Sequence, residues 1–385
     1  MARNVDEIRN LAVCGHGSAG KTTLVDQLLL KTGAVSGQPS VDNGTSICDF
    51  DEEEKHHKHS VEASIVHFDH AGLRFNVIDT PGYPDLIGQT VGALRAVETA
   101  LVAIDAHAGI KVNTRRAWQE AGDAGIGRIL CITKLDTDNI NFPGLIDSIK
   151  EVFGTQCALF NVPIGHGHDL KGVVSTLDVP KDKAGALIDP ATLSESVVES
   201  IIEADEAVME KYLEGEMPSK EVLQRLCAEA VRQGTLTPIV CVSTKMGVGL
   251  DELLAVLVQA SLPPKAVVRT AKKDGDSVTL KCDPSAPLAA QVFKTRIDPF
   301  VQRLSYIRVF SGTLKKDATV PVAGSRKGVK IGPLLSVQGE KTTPLDMASA
   351  GEIVAVSSGR YRPCDRTQTL RRQRAADPYQ SDPVA

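Results

Sequence analysis

The chain has 385 residues, 42% of them hydrophobic and 24% charged, with a formal net charge of −5. That length allows two or three domains with sizeable cores, and the slight acidity excludes a global basic field that would draw the whole chain onto nucleic acid, though not a local basic face. The eight Cys show no CxxC and no pairing pattern, and Cys14, Cys131 and Cys241 lie in apolar runs, which suits a reducing cytosol. Met1 to Asp6 holds no apolar signal core, and no run is long and apolar enough to span a bilayer, so a cytoplasmic chain with no membrane partner is expected.

Asp6 to Asn10 leads into an apolar run, Leu11-Ala12-Val13-Cys14, that reads as a short buried strand. Gly15-His16-Gly17-Ser18-Ala19-Gly20-Lys21-Thr22 follows as a GxxxxGK[ST] loop, and Thr23 to Leu30 has helical spacing with Gly33 placed to end it. In a strand–loop–helix setting, Gly15 and Gly20 permit tight turns, and successive amides from His16 to Thr23 face phosphate oxygens at a helix N-terminus. Lys21 is placed for the β- and γ-phosphates and the Thr22 hydroxyl for Mg²⁺. This loop alone does not choose between ATP and GTP.

Gly37 to Ser60 is polar and reads as a mobile, solvated loop. His56, His57 and His59 lie close in sequence, but no helix or hairpin is evident that would converge them on one ion. Ser60 offers a second hydroxyl that could complete a Mg²⁺ shell when a γ-phosphate is present. Ala63 to Phe68 and Leu73 to Ile78 flank His70-Ala71-Gly72 as a hairpin, and the second strand runs into Asp79-Thr80-Pro81-Gly82. A carboxylate at such a strand end lies beside the phosphate loop of a doubly wound sheet. Asp79 is therefore expected at Mg²⁺ through water, and the Gly82 amide at the γ-phosphate.

Ala100 to Asp105 is a continuous apolar run and reads as a buried strand, followed by a helix from about Val112 to Gly122. The next strand, Arg128 to Ile132, ends in Thr133-Lys134-Leu135-Asp136. An ionised Asp136 only accepts hydrogen bonds, and guanine offers it the paired N1–H and N2–H₂ edge, where adenine offers an acceptor. A site built this way rejects the wrong base by roughly 10⁴ or more. Lys134 can lay its stem along the base plane. Pro238 to Val242 reads as another buried strand ending in Ser243-Thr244-Lys245, near guanine O6, with a helix from Leu250 to Ala260.

Between these motifs, about 161–237, lies an insertion with short strand-like pieces and two amphipathic helices, about Leu193 to Leu213 and Lys220 to Gln233. The first has an acidic face, read as solvated, with docking of a basic partner as the sharper alternative. Residues 1–265 read as the first domain, 266–284 as a linker with a small hairpin at Val278 to Lys281, and 285–358 as a β-barrel. Its strands are expected at Leu288 to Thr295, Leu304 to Phe310, Lys330 to Leu335 and Glu352 to Val356. Residues 359–385 carry six Arg and few apolar residues and read as a disordered tail without function, with an RNA-contacting tail or a truncation or frame error as the alternatives.

The nucleotide motifs followed by a β-barrel resemble a translational GTPase of the elongation factor G type. Phe293-Lys294-Thr295-Arg296-Ile297-Asp298-Pro299-Phe300-Val301 and Ile307-Arg308-Val309-Phe310-Ser311-Gly312 resemble that factor's second domain, and the insertion its extra subdomain; the resemblance covers about Val5 to Ser358. It implies an α/β phosphate-loop GTPase domain with a subdomain insertion and a small β-barrel. It also implies GTP/GDP and Mg²⁺ as cofactors, the ribosome (rRNA and ribosomal proteins) as partner, and a monomer. Lys21, Gly82 and the residue at 83 would carry hydrolysis.

Several residues depart from the family pattern. Tyr83 stands where elongation factor G has a His implicated in placing the attacking water, Ser18 where it has Asp, and Thr133 where it has Asn. Lys58-His59-Ser60-Val61 replaces Gly-Ile-Thr-Ile. Tyr is neutral near pH 7, and losing such a group costs on the order of 10²–10⁴-fold in rate unless the Tyr83 hydroxyl or Asp85 substitutes. The family has three further domains, which this sequence is expected to lack. The expected function is a ribosome-associated GTPase without the translocation domains. The alternative is a GTP-dependent binding switch that barely hydrolyses. An ATP-dependent transferase is disfavoured by Asp136.

Overall fold

The computed structural model describes residues 3–181, 183–273, 276–298, 302–323 and 328–358. Its first domain is built on β1 (Ile8–Gly15), of which all but Arg9 is buried. The chain continues through α1 (Lys21–Lys31), α2 (Glu52–His57), β2 (Ser64–His70), β3 (Leu73–Asp79), α3 (Ile87–Ala96), β4 (Thr99–Asp105), α4 (Val112–Asp123), β5 (Gly127–Thr133), α5 (Phe142–Phe153) and β6 (Cys157–Leu159). β7 (Asn161–Ile164) and β8 (Gly172–Ser175) form a separate ribbon, followed by α6 (Pro190–Ile202), α7 (Glu206–Leu213), α8 (Lys220–Gln233), β9 (Thr237–Cys241) and α9 (Leu250–Ala260). The main sheet has the order β2-β3-β1-β4-β5-β9-β6. Only β2 runs antiparallel to its neighbour, so the continuous apolar strands are those covered on both faces. The loops after β1, β3, β5 and β9 consequently share one edge, where ligands of open α/β sheets bind.

The second domain is antiparallel. After the ribbon β10 (Arg269–Lys273) and β11 (Asp276–Leu280) come β12 (Ala289–Asp298), β13 (Gln302–Ser311), β14 (Thr313–Lys315), β15 (Thr319–Val320), β16 (Val329–Lys330), β17 (Leu334–Gln338), β18 (Lys341–Leu345), β19 (Met347–Ser349) and β20 (Ile353–Ser358). The sheet β12-β13-β20-β17-β18 is accompanied by the pairs β14-β19 and β15-β16. Val309, Leu314, Leu334, Ala348 and Val356 bury together, so the small pair β14-β19 shares the core of the sheet.

The structure corrects several local readings. The segment 193–213 is two helices: Asp205 leaves helical geometry and its side chain accepts from the Val208 amide at 3.3 Å, starting α7. The strand expected over 330–335 is interrupted between β16 and β17, where Pro333 has no N–H for a ladder. The 37–60 segment is not uniformly solvated. Cys48, Asp49, Glu54 and Ser60 are buried, and α2 lies within it. The 359–385 tail and Pro299-Phe300-Val301 fall outside the described residues.

The two domains meet through a buried polar cluster. Arg308 Nη2 donates to Glu98 Oε1 at 2.9 Å, Asn10 Nδ2 to Glu98 Oε2 at 2.8 Å, and Asn76 Nδ2 to Asn10 Oδ1 at 2.8 Å. Arg269 stands 3.6 Å from the same carboxylate. Nearer the phosphate-loop edge, the Gly339 amide donates to Ile65 O at 2.9 Å, and His67 Nδ1 lies 2.8 Å from Val337 O.

Candidate nucleotide site

β1 passes so close to β4 that a Cβ on Gly15 would stand 2.5 Å from the Ala103 carbonyl oxygen, and Gly15 has φ +136°. Only glycine fits there. The loop then turns through His16, Gly17, Ser18 and Ala19 to Gly20, whose left-handed conformation starts α1 with Lys21, Thr22 and Thr23 in its first turn. Lys21 Nζ donates to the His16 carbonyl at 2.8 Å. Burial lowers the pKa of that ammonium, against the attraction of Asp79. Burial, then Lys21 and Lys111, also lower His16, which keeps its imidazole neutral beside the loop.

Oxygens converge at the start of α1. Thr22 Oγ1 donates to Asp79 Oδ2 at 2.7 Å and lies 2.9 Å from Ser60 Oγ. Asp79 ends β3 in register with Val13 of β1. Its Oδ1 is buried with no hydrogen-bond partner. Burial, then the nearby Asp49 carboxylate, raise the Asp79 pKa; burial likewise pushes Asp49 to about 6 and Asp26 to about 6. A buried, acid-rich set of hard oxygen donors, with unsatisfied carboxylate oxygens on Asp79, Asp49 and Asp26, fits a Mg²⁺ ion.

Gly82 closes this side. A Cβ there would collide with Lys21 Nζ and the Gly17 nitrogen, so only a glycine backbone packs against the phosphate loop. The Gly82 carbonyl is held by Asn113 Nδ2 at 2.6 Å. Asn113 is a buried residue at the start of α4 that periodicity does not single out. The Tyr83 ring lies over Gly17, 3.5 Å from where a Cβ would be, and is 40% exposed. His59 meets it with ring centroids 4.6 Å apart. Asp85 follows in the short helix Pro84–Leu86. His57 and His59 stack at 5.7 Å, and His57 pairs with Glu53.

The loops after β5 and β9 are tied to this cradle. The Thr133 hydroxyl is 2.9 Å from the Ala19 carbonyl and 3.2 Å from that of Ile104, joining the loop that carries Asp136 to the one that carries Lys21. Lys134 has a left-handed backbone (φ 59°), and its stem passes near Gly20 to an ion pair with Asp105 at 2.9 Å. Burial pushes the Asp105 carboxyl up, but the Ala108 and His107 amides and Lys134 together hold it below the usual range. Ser243 Oγ donates to Asp136 Oδ1 at 2.5 Å. The Ser243 amide is used within its own turn by Val248 O at 2.9 Å, leaving the outward stretch of the loop to half-buried Thr244 and exposed Lys245. The structure thus gathers His16 to Thr23, Ser60, Asp79, Gly82 and Tyr83 at one place, with Thr133, Lys134, Asp136 and Ser243 beside it. Asp105, Asn113, Asp49 and His59 join them without a sequence signal of their own.

Comparison with known proteins gives the family. Residues 6–263 match the family model described as elongation factor Tu GTP binding domain, and residues 287–361 that described as elongation factor G domain 2. The chain belongs to the translational GTPase family. Among relatives of this elongation factor G type, an elongation factor G-like protein of Mycobacterium tuberculosis is 33% identical over 381 residues, covering 91% of this chain and 53% of its own. Elongation factor G 2 of Streptomyces coelicolor is 32% identical over 368 residues with the same coverages. A crystal structure from Thermus thermophilus matches with a TM-score of 0.79 at 30% identity, over 92% of this chain and 53% of that one. The chain therefore spans about half the length of these translational GTPase relatives. No helix among the described residues is long and apolar enough to cross a membrane.

Proposed function

We propose that this chain binds GTP and GDP with Mg²⁺ and is a GTPase that works on the ribosome in the cytoplasm, as a monomer. The observation that carries the reading is the Thr133 hydroxyl at 2.9 Å from the Ala19 carbonyl, because it fixes the distance between a base-reading carboxylate and a phosphate cradle. Asp136, oriented by Ser243, accepts from guanine N1–H and N2–H₂; the Thr244 and Lys245 amides face O6; and Lys134 covers the base plane. Lys21 and the amides from His16 to Thr23 neutralise phosphate charge. Thr22 and Ser60 would ligate Mg²⁺ directly and Asp79 would hold it through water; a bound ion would supply positive charge against the charge that develops on the phosphates. Gly82 meets the γ-phosphate, and its contact with Lys21 and Gly17 makes the loop at 80–83 sensitive to that group. Such enzymes act by positioning and charge stabilisation, so turnover is slow alone and faster on the ribosome. GTP turnover measured with and without ribosomes tests this; no stimulation would reject the enzymatic half.

A second reading has its own observation. The Tyr83 ring, in place of an imidazole, lies over Gly17 of the phosphate loop. That favours a GTP-dependent binding switch with little hydrolysis. GTP binding with no turnover on ribosomes would select it.

A further inference from the structure

We propose that Lys294 and Arg296 of the second domain are positioning residues for the nucleotide site: they hold the 50–63 loop so that Ser60 meets Thr22, and thereby set the preference for GTP over GDP. The proposal rests on the nucleotide reading above. It begins with a question of local stability. α2 has six residues, too few to persist alone even with its acidic first turn and Asp51–Glu54 capping box. Something outside the loop must hold it.

Two cations from β12 do so. Lys294 is nearly buried; its Nζ lies 2.7 Å from Glu62 Oε2, donates to the Ala63 carbonyl at 2.5 Å and stands 5.3 Å from the centre of the Tyr306 ring. Arg296 Nη2 donates to Asp51 Oδ1 at 2.9 Å, with its guanidinium 4.4 Å from the Phe50 ring centre. Residues two apart on a strand share a face, so both cations point at the loop together. One grips the loop before α2 and the other after Ser60. Between the grips, Glu54 ties the segment to itself. Its carboxylate accepts from the Val61 amide at 3.0 Å, from the Glu62 amide at 3.1 Å and from the Asp51 amide at 3.3 Å. Ser60 lies inside this closed figure, 2.9 Å from Thr22.

The consequence concerns nucleotide choice. A loop hydroxyl at the metal contributes most when the γ-phosphate is also there, so an unclamped loop weakens the triphosphate complex selectively. By linkage, GTP must tighten the domain contact by the same factor by which the contact tightens GTP.

The test compares the affinity of the full chain for GDP and for a non-hydrolysable GTP analogue at saturating Mg²⁺. Lys294→Met with Arg296→Met is expected to weaken the analogue about tenfold or more while GDP changes less than about twofold, a factor typical of such couplings. Arg296→Lys, which keeps the charge, should retain the preference. Equal weakening of both nucleotides, or of neither, overturns the proposal. Amide exchange measured without nucleotide reads the clamp independently of binding. In the double variant, exchange over 50–63 should speed up while Gln302–Ser311 stays protected. Unchanged exchange over 50–63 sinks the clamp. Failure of the unaltered chain to bind either nucleotide sinks the nucleotide reading instead.

Discussion

Arg308→Met should destabilise the protein by about 3 kcal/mol, at the lower end of the range for breaking a buried ion pair. Arg308 is 1% exposed and Glu98 0%, and they pair at 2.9 Å where the second domain meets the first. Removing the arginine leaves a carboxylate that water cannot reach. Two contacts temper the loss: Asn10 still donates to Glu98 at 2.8 Å, and Arg269 remains at 3.6 Å. The Gly351 carbonyl keeps its 3.1 Å bond from Asn10. Glu98→Gln alone leaves two cations close together, so it too is costly. The double variant should cost less than the two singles added, by about 1 kcal/mol or more, because neither charge is then stranded. Urea denaturation followed by far-UV circular dichroism and by fluorescence of the single Trp, Trp118, measures this. Trp118 stacks on Phe153 inside the first domain, so it reports that domain alone. In the Arg308 variant the two probes should separate. A loss under about 1 kcal/mol, or strict additivity, would refute the idea that this pair is a desolvated interdomain contact.

Asp136→Asn should lower GTP affinity by about 10²–10⁴, the loss of two charge-assisted hydrogen bonds, while xanthosine triphosphate, whose C2 oxygen the substituted side-chain amide can reach, should bind better than GTP; nucleotide titration decides. Tyr83→His should raise ribosome-stimulated turnover about 10²–10⁴-fold, with unchanged turnover arguing that residue 83 does not order the water. Asp26 is 1% exposed and accepts from the Ile47 amide at 3.1 Å, and burial pushes it to about 6. Its folded pKa is raised, so its contribution is full below the unfolded value near 4 and is lost as pH rises through about 6. Asp26→Asn, which keeps the acceptor, should therefore gain on the unaltered chain by about 3 kcal/mol between pH 4 and pH 7; parallel stability curves would contradict this.

What the sequence makes legible is local. Apolar runs such as Ala100 to Ile104 announce doubly covered strands, and the motifs at 15–22, 79–82, 133–136 and 243–245 sit at strand ends because strand, turn and helix signals adjoin them. The parallel order follows from those alternations. What stays illegible depends on partners distant in sequence. Nothing near Asp51 or Glu62 foretells Arg296 or Lys294. Nothing near His59 foretells the ring of Tyr83, and Asn113 looks like any polar residue opening a helix. The ordering of 46–60 is hidden because its composition is that of a solvated loop, whereas Glu54 is satisfied by backbone amides and Asp51 by another domain. The break before α7 is hidden because one acidic residue within an acidic helix gives no contrast, although Asp205 acts as a cap.

Calorimetric titration of the unaltered chain with GTP and with ATP, both in excess Mg²⁺, tests the central claim most directly. Asp136 held by Ser243 beside the Lys21 cradle predicts binding of GTP, with ATP weaker by roughly 10⁴ or more. Equal binding of the two, or binding of neither, contradicts it.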